Sequence, residues 1–267
     1  MESDRPQLVL VGGGNMGSAL LGGLVAGRLD PRSITVVETD AAKRRTLQDT
    51  FGVVTSESVV PGDGALVAVK PADVPGVCGQ LAALGVPRIV SIAAGVSLAR
   101  LQAAASPETA VVRAMPNTPA LVGEGMTAIC PGPTCTPADA AWAQTLMSAV
   151  GEVVVLPEEQ MDAFTAVAGS GPAYVFLMAE AMLAAGIAEG LPADVTEKMV
   201  RQLFRGSGVL LSASSDAPST LREKVTSPNG TTAAGLAVFE DAGFRELVKK
   251  VVRAAADRSA AMQRELG

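Results

Sequence analysis

The sequence predicts an α/β protein in which a doubly wound parallel sheet is followed by an all-helical C-terminal domain. Short apolar runs alternate with helical stretches as far as Leu156. A glycine-rich turn follows the first of these runs, and no strand-like run of useful length follows Leu156. We therefore expect one domain over residues 1–157 and a second over residues 158–267, with the boundary near Pro157.

The strand candidates are short and apolar, which is typical of strands buried on both faces of a parallel sheet. The first two are Gln7–Val11, which ends in glycines, and Ile34–Val37. Helical spacing follows each of them, over Asn15–Gly27 and over the polar, basic stretch Ala41–Phe51. The later strand candidates, in chain order, are residues 65–69, 88–92, 110–112, 126–129 and 152–155.

The second half of the chain carries helical patterns only. With boundaries good to about two to four residues, they cover residues 158–168, 172–189, 193–212, 217–224, 231–241 and 245–265. The stretch 172–189 is apolar nearly all round, so it must be buried. We favour burial against a partner subunit in a dimer, and a central core helix is the alternative. Its apolar run, Ala173–Ala188, is interrupted by Glu180 and is short for a membrane span, so we expect no membrane partner.

Composition and charge exclude several function classes. Of the 267 residues, 48% are apolar and 18% are charged, which argues against disorder. The net charge of -6 and the absence of long basic runs argue against a nucleic-acid partner. The first residues, Met1–Pro6, contain acids and no apolar segment, so we expect no signal peptide and a cytoplasmic location. The three cysteines fit neither a CxxC nor a zinc spacing, and we expect reduced thiols.

The chain contains no histidine. Catalysis by a Ser-His-Asp triad, a histidine-ligated metal or a histidine general acid is therefore excluded. We expect no metal site, and any chemistry must proceed without imidazole.

A G-x-G-x-x-G motif lies between the first strand and the first helix, the context of a Rossmann-type dinucleotide site. Gly12 permits the tight turn, Gly14 lets the backbone approach the pyrophosphate, and Gly17 lets the helix pack closely on the strand. The start of the helix, at Asn15 and Met16, offers unpaired N–H groups to the phosphates. The motif predicts that NADH or NADPH binds here.

Glu38 ends the second strand 21 residues after Gly17, where an acid that binds the ribose is expected. It should accept a hydrogen bond from the 2′-hydroxyl and repel a 2′-phosphate, which favours NADH. Lys43, Arg44 and Arg45 follow closely and can neutralise a phosphate, unless they form a solvated helix face. The sequence leaves the choice between NADH and NADPH open.

Loops after three further strands should reach the same crevice, because ligands of open α/β sheets gather at the carboxyl ends of the strands. A stiff loop with two prolines around an Asn-Thr pair can present polar groups to the nicotinamide or the substrate. The candidate residues in these loops are Val69, Lys70, Pro71, Ala93, Ala94, Gly95, Asn117 and Thr118.

Six segments, in order along nearly the whole chain, resemble those of the pyrroline-5-carboxylate reductase family. They are Gly12–Gly17, Val69–Pro71, Ser91–Gly95, Arg113–Ala120, Gly169–Phe176 and Val225–Thr232. One position departs from the family pattern, since Asn229 stands where glycine is usual. Asparagine tolerates positive φ better than other side chains, so we expect the turn to survive.

The resemblance implies an NAD(P)H-dependent oxidoreductase that reduces the cyclic imine pyrroline-5-carboxylate to L-proline, the last step of proline biosynthesis. It implies that the substrate carboxylate binds at Ser227, Gly230, Thr231 and Thr232, and that Thr165 lies near the substrate nitrogen. Thr165 and Ser227 are thus the catalytic candidates. It also implies intertwined homodimers, assembled further into rings, with sites that can draw residues from two subunits.

A purely structural role for the Ser227 segment and two other functions remain as alternatives. Ser227 or a threonine can simply cap its own helix. A dehydrogenase of the same architecture that acts on 3-hydroxy acids would need a helix-borne lysine a few residues after a second glycine-rich turn, which here is the one that ends at Gly171. The stretch after Gly171 has none before Lys198, which counts against that reading. A non-catalytic dinucleotide sensor is the second rival, and the intact Ser227–Thr232 segment counts against it.

Overall fold

A computed structural model describes residues 5–27 and 29–266 of the chain. Residues 1–4, where we expect no signal peptide, lie outside the described part. An eight-stranded sheet has the order β3-β2-β1-β4-β5-β6-β7-β8. The strands are β1 (Leu8–Val11), β2 (Ile34–Val37), β3 (Val54–Ser56), β4 (Ala65–Val67), β5 (Arg88–Ser91), β6 (Ala110–Met115), β7 (Gly125–Pro131) and β8 (Gly151–Val155).

Strands β1 to β6 run parallel, and the chain reverses its direction of winding between β1 and β4. Leu8 pairs with Ile34 on one side of β1, and Val9 pairs with Ala65 on the other. This arrangement confirms the predicted doubly wound sheet and makes the carboxyl ends of β1 and β4 its topological switch point.

Strand β7 runs antiparallel to β6, and β8 runs parallel to β7. The link between β6 and β7 contains only a short 3-10 turn, Thr118–Val122. Such a link is too short for the helical crossover that a parallel neighbour requires. The pattern of apolar runs did not predict this change of direction.

Five helices cover the two faces of the sheet, and side chains alternate between two apolar cores. Leu8 and Leu10 of β1 belong to one core, whereas Val9 and Val11 belong to the other. The helices are α1 (Asn15–Ala26), α2 (Ala41–Phe51), α3 (Val74–Ala83), α4 (Leu98–Ala104) and α5 (Pro137–Ser148).

Strand β3 was not predicted from the sequence. It is a three-residue edge strand, and its side chains are exposed or half-buried. A short edge strand with two hydroxyl residues, Thr55 and Ser56, lacks the apolar run that identified the others.

The C-terminal part is helical, as predicted. Its helices are α6 (Met161–Phe164), α7 (Gly171–Ala188), α8 (Ala193–Ala213), α9 (Pro218–Lys224), α10 (Thr231–Asp241) and α11 (Phe244–Leu266). The single helix expected over residues 158–168 is instead a 3-10 turn at Glu158–Gln160, then α6, then a π-helical turn at Thr165–Gly169.

The chain forms two compact units. The first contains residues up to Ser170 together with the last turns of α11 from Ala255, and the second runs from Gly171 to Ala254. Compactness thus divides the chain after Ser170, thirteen residues beyond the expected boundary at Pro157. The C-terminal turns belong to the first unit because Ser259 and Gln263 both donate hydrogen bonds to Asp162, at 2.6 and 2.7 Å.

Helix α7 has no buried residue within this chain, so the alternative of a central core helix is wrong. Phe176 is 66% exposed and Leu177 is 65% exposed. The continuous helical run Glu158–Ala188 is 31 residues long with a mean hydropathy of 1.5, long and apolar enough by those measures to cross a membrane. The expectation of no membrane span was made for the shorter apolar stretch Ala173–Ala188 and stays a prediction. The exposed apolar surface of α7 calls for a covering partner.

Candidate coenzyme and substrate sites

The glycine turn after β1 has the geometry that a dinucleotide site needs. Gly12 has a φ of +104°, and a Cβ there would lie 2.5 Å from the carbonyl oxygen of Ala68. A Cβ on Gly17 would strike the carbonyl oxygen of Gly12. Gly14 is exposed with open space around it, and it precedes α1 without any side-chain cap. The N–H groups at Asn15 and Met16 therefore begin α1 facing a position that a pyrophosphate can fill.

Glu38 lies against this turn. Its Oε2 accepts a hydrogen bond from the Gly13 N–H at 3.2 Å, and its Oε1 accepts one from the Asp40 N–H at 3.0 Å. These bonds hold the carboxylate at the end of β2, beside the glycine turn, where a ribose hydroxyl can reach its remaining lone pairs.

The three basic residues of α2 differ in their environment. The Arg44 guanidinium donates to the carbonyl oxygens of Glu38 and Thr39 and pairs with Glu57 at 3.3 Å, and its side chain is only 18% exposed. Lys43 and Arg45 are exposed on the helix surface. Arg44 is thus already occupied, whereas the other two fit the solvated-face interpretation.

The loops after β4 and β5 lie at the same edge of the sheet. Lys70 is exposed at the start of a 3-10 turn that begins at Pro71, and Val69 and Ala94 are half-buried. Gly95 has a φ of +75°, and a Cβ there would lie 2.9 Å from the end of Leu266 in α11. Ala93 is buried in the core beneath this loop. These loops can therefore present backbone atoms, and Lys70 its ammonium group, to a bound coenzyme.

The loop after β6 contains Asn117, which is only 8% exposed. Its Oδ1 accepts a hydrogen bond from the Met126 N–H at 2.8 Å, and its Nδ2 donates to the Ala168 carbonyl oxygen at 3.0 Å. The next residue, Thr118, is exposed. The structure therefore ties this loop to β7 and to the π-helical turn.

Thr165 begins that π-helical turn and is half-buried in the first unit. Its hydroxyl donates to the Met161 carbonyl oxygen at 2.7 Å, one helical turn earlier. A hydroxyl that donates in this way keeps its oxygen lone pairs available to accept a hydrogen bond from another group. The turn places Thr165 close in sequence and space to the carbonyl that Asn117 binds.

An ion pair between a buried arginine and a half-buried glutamate supports the same region, and it was not predicted from the sequence. Arg113 of β6 has a side chain only 3% exposed, and it donates to Glu158 at 2.9 Å. The same carboxylate oxygen accepts the Leu98 N–H at 2.6 Å. A lone arginine within an apolar strand was the available signal, because a buried charge needs a partner.

The segment before α10 lies in the second unit. Gly230 precedes α10 with no side-chain cap, so the first N–H groups at Thr231 and Thr232 are not satisfied by Ser227 or by either threonine. The interpretation of a plain helix cap is therefore wrong. A Cβ on Gly230 would collide with the Ser227 hydroxyl, so glycine permits this close approach. Asn229 has a φ of 59°, which confirms that asparagine keeps the turn.

Acidic and thiol side chains are the remaining candidates for a metal or thiol site in the described parts of the chain. No group of three or more Cys, Asp or Glu side chains is placed to hold a metal ion in residues 5–27 and 29–266. All three cysteines are free, and burial raises the pKa of the Cys78 thiol to about 11. That thiol stays protonated and unreactive at neutral pH.

Comparison with protein families matches both parts of the chain. Residues 158–262 match the family described as pyrroline-5-carboxylate reductase dimerisation. Residues 7–95 match a family described as NADP oxidoreductase, coenzyme F420-dependent. The first match assigns the exposed apolar helices to a dimerisation domain, and the second agrees with the geometry of the glycine turn.

Individual relatives match over nearly the full length. The pyrroline-5-carboxylate reductase of Synechocystis sp. is 44% identical, with 95% of this chain and 97% of the relative covered. That of Escherichia coli is 37% identical over 93% of this chain and 95% of the relative. A solved pyrroline-5-carboxylate reductase from Coxiella burnetii has a TM-score of 0.92 and 31% identity, covering 97% of this chain and 99% of the other. The chain therefore belongs to the pyrroline-5-carboxylate reductase family.

Proposed function

We propose that this protein reduces 1-pyrroline-5-carboxylate to L-proline with a reduced nicotinamide dinucleotide. The observation that carries the proposal is the position of Thr165. It lies on a turn that is hydrogen-bonded to the loop after β6, at the sheet edge where the glycine turn and Glu38 also lie. When bound, the coenzyme supplies a hydride to the imine carbon.

Thr165 suits an imine substrate. A protonated cyclic imine is already electrophilic and becomes a neutral amine, so no imidazole acid is required. With its own proton donated to Met161, the Thr165 oxygen accepts the iminium N–H and orients the ring. The half-buried turn limits water around that contact. The role of Thr165 is thus to hold the substrate nitrogen.

The start of α10 serves the substrate carboxylate. Unpaired N–H groups and the positive end of the helix dipole favour an anion there. The hydroxyls of Ser227, Thr231 and Thr232 add neutral donors, and Gly230 keeps the backbone open to the ligand. This arrangement binds a small amino-acid-like acid in one orientation.

Glu38 favours NADH as the coenzyme. Its carboxylate is fixed beside the glycine turn, and the nearby Arg44 is engaged by Glu57 and by two carbonyl oxygens. A 2′-phosphate at this position would meet a negative charge without that arginine as a counter-ion. The solved relative from Plasmodium falciparum has NADP bound, so both coenzymes must be compared in the assay.

The working form is a homodimer or a ring of dimers in the cytoplasm, with neither nucleic acid nor membrane as partner. The exposed apolar side chains of α7 support this arrangement, because a second copy of the dimerisation domain can bury them. The acidic net charge of -6 fits a protein that does not bind nucleic acid.

The test is the loss of absorbance at 340 nm when the purified protein meets pyrroline-5-carboxylate with NADH, and then with NADPH. Turnover that forms proline supports the proposal. Tight dinucleotide binding without turnover would favour the sensor, and activity on 3-hydroxy acids but not on cyclic imines would favour the dehydrogenase.

A further inference from the structure

The Asn117 side chain bridges two backbone groups that are far apart in sequence. Its Oδ1 accepts the Met126 N–H at 2.8 Å, and its Nδ2 donates to the Ala168 carbonyl oxygen at 3.0 Å. The Met126 N–H can only donate, so it fixes which end of the amide faces it. The amide NH2 group must therefore point at Ala168.

The Ala168 carbonyl oxygen needs such a donor. In a regular α-helix it would accept the N–H four residues later, but that residue is Pro172, which has none. The chain instead makes a π-helical turn, in which the Ser170 N–H donates to the Thr165 carbonyl oxygen at 2.8 Å. Asn117 thus supplies a hydrogen bond that the helix cannot.

The same loop also packs against the turn. A Cβ on Gly169 would lie 3.2 Å from the methyl carbon Cε of Met115 and 3.4 Å from Cγ2 of Thr165. The turn is therefore held by a polar contact at Ala168 and an apolar one at Gly169, both from the end of β6.

We propose that Asn117 is a positioning residue for the reduction, because its amide holds the turn that carries Thr165 at the coenzyme edge of the sheet. Its side-chain amide serves this turn, a role not expected from the sequence. The inference rests on the proposed function for its catalytic part. The contact itself can be tested without turnover.

The decisive variant is Asn117→Asp, compared with wild type across pH. A neutral carboxyl group can accept from Met126 and donate to Ala168, whereas a carboxylate has no proton to donate. We expect kcat per folded enzyme to fall by up to about a hundredfold at alkaline pH. The kcat of the variant, divided by the kcat of wild type at the same pH, should rise as the pH falls. The dissociation constant of the coenzyme should stay within about twofold of the wild-type value, far below a tenfold change. Asn117→Ala should lose kcat without this recovery.

Thr109→Val is the matched control. Thr109 is buried just before the opposite end of β6, and the change removes its side-chain hydrogen bond to Ser106 at 2.9 Å. It should leave kcat per folded enzyme unchanged. Hydrogen exchange in the free protein gives a readout independent of activity. The Ser170 and Met126 amides should exchange faster in Asn117→Ala than in wild type or Thr109→Val.

Three results would overturn the inference: a flat Asn117→Asp ratio across pH, a loss confined to coenzyme affinity, or unchanged exchange at Ser170. The wild-type protein could also fail to reduce the imine while Asn117→Ala still shows faster exchange. That outcome would overturn the proposed function and the catalytic role, but it would support the structural contact.

Discussion

The Glu38 carboxylate accepts a hydrogen bond from the Gly13 N–H at 3.2 Å, which joins the end of β2 to the glycine turn after β1. The contact places a fixed negative charge at the position where a ribose 2′-substituent is recognised. We therefore expect coenzyme preference to depend on this carboxylate, whose orientation is set by backbone amides.

Glu38→Gln should shift the ratio of kcat/KM for NADH over NADPH towards NADPH by about tenfold or more, equivalent to about 1.4 kcal/mol. The amide keeps the shape of the side chain but removes the charge that repels a phosphate. Steady-state kinetics with both coenzymes measure the shift. Asp49→Asn, on the exposed surface of α2, changes the net charge equally and should leave the ratio unaltered. An unaltered ratio in Glu38→Gln would contradict the prediction.

Ser227→Ala should raise the KM for pyrroline-5-carboxylate by about tenfold to a hundredfold, as expected for a hydrogen bond to a charged group of about 1.5–3 kcal/mol. Coenzyme affinity should not change, because the proposed coenzyme contacts are made by the glycine turn and the loops of the sheet. Initial rates at varied imine concentration measure the effect, and Ser148→Ala on the exposed side of α5 is the control. An unchanged KM would remove Ser227 from the substrate site.

Asn229 has a φ of 59°, a conformation that costs about 1–2 kcal/mol for residues other than glycine, asparagine and aspartate. Asn229→Ala should therefore raise the KM for the imine, since it strains the turn that leads to α10. Asn229→Gly, at the same position, should match wild type. Equal kinetics for the two variants would show that this turn does not depend on positive φ.

Thr165→Val should lower kcat by about tenfold or more, because it removes an oxygen that accepts the iminium N–H, a charge-assisted bond of about 1.5–3 kcal/mol. Thr165→Ser keeps the hydroxyl and should retain most activity. Single-turnover hydride transfer, followed at 340 nm with saturating coenzyme, separates this step from product release. Full activity in the valine variant would show that the substrate nitrogen lies elsewhere.

Phe176→Glu should dissociate the dimer, because it places a charge on the exposed apolar surface of α7 that a partner is expected to bury. Sedimentation of the wild type should give at least a dimer, and the variant should shift towards monomer. Val54→Glu, on the exposed edge strand β3, should sediment like wild type. A variant that still sediments as wild type would place the subunit interface away from this helix.

Most strands and helices could be predicted from local sequence patterns. Short apolar runs identified every strand except β3, which is too short and too exposed to give a signal. The glycine turn and Glu38 could be located because their spacing follows from the geometry of one strand, one turn and one helix. The helix α10 was predicted to its observed bounds, Thr231–Asp241.

Contacts between distant segments were not visible in the sequence. Arg113 forms an ion pair with Glu158, 45 residues away in sequence, and Asn117 donates a hydrogen bond to Ala168, 51 residues away. Periodicity reports which face of an element is apolar, but it carries no information about which buried polar groups will meet. Asn117 was expected to contact the coenzyme, which stays a prediction, and the structure shows in addition that its amide binds a helical turn.

The sequence by itself determined the alternation of strands and helices, the dinucleotide motif and the absence of imidazole chemistry, because each depends on residues close together in the chain or on composition alone. Only the tertiary structure decided the direction of β7, the π-helical turn at Thr165 and the uncapped start of α10. The direction of β7 depends on hydrogen bonds between segments that become neighbours only when the chain has folded. The other two features are local, but they depend on backbone geometry that the spacing of apolar residues does not report.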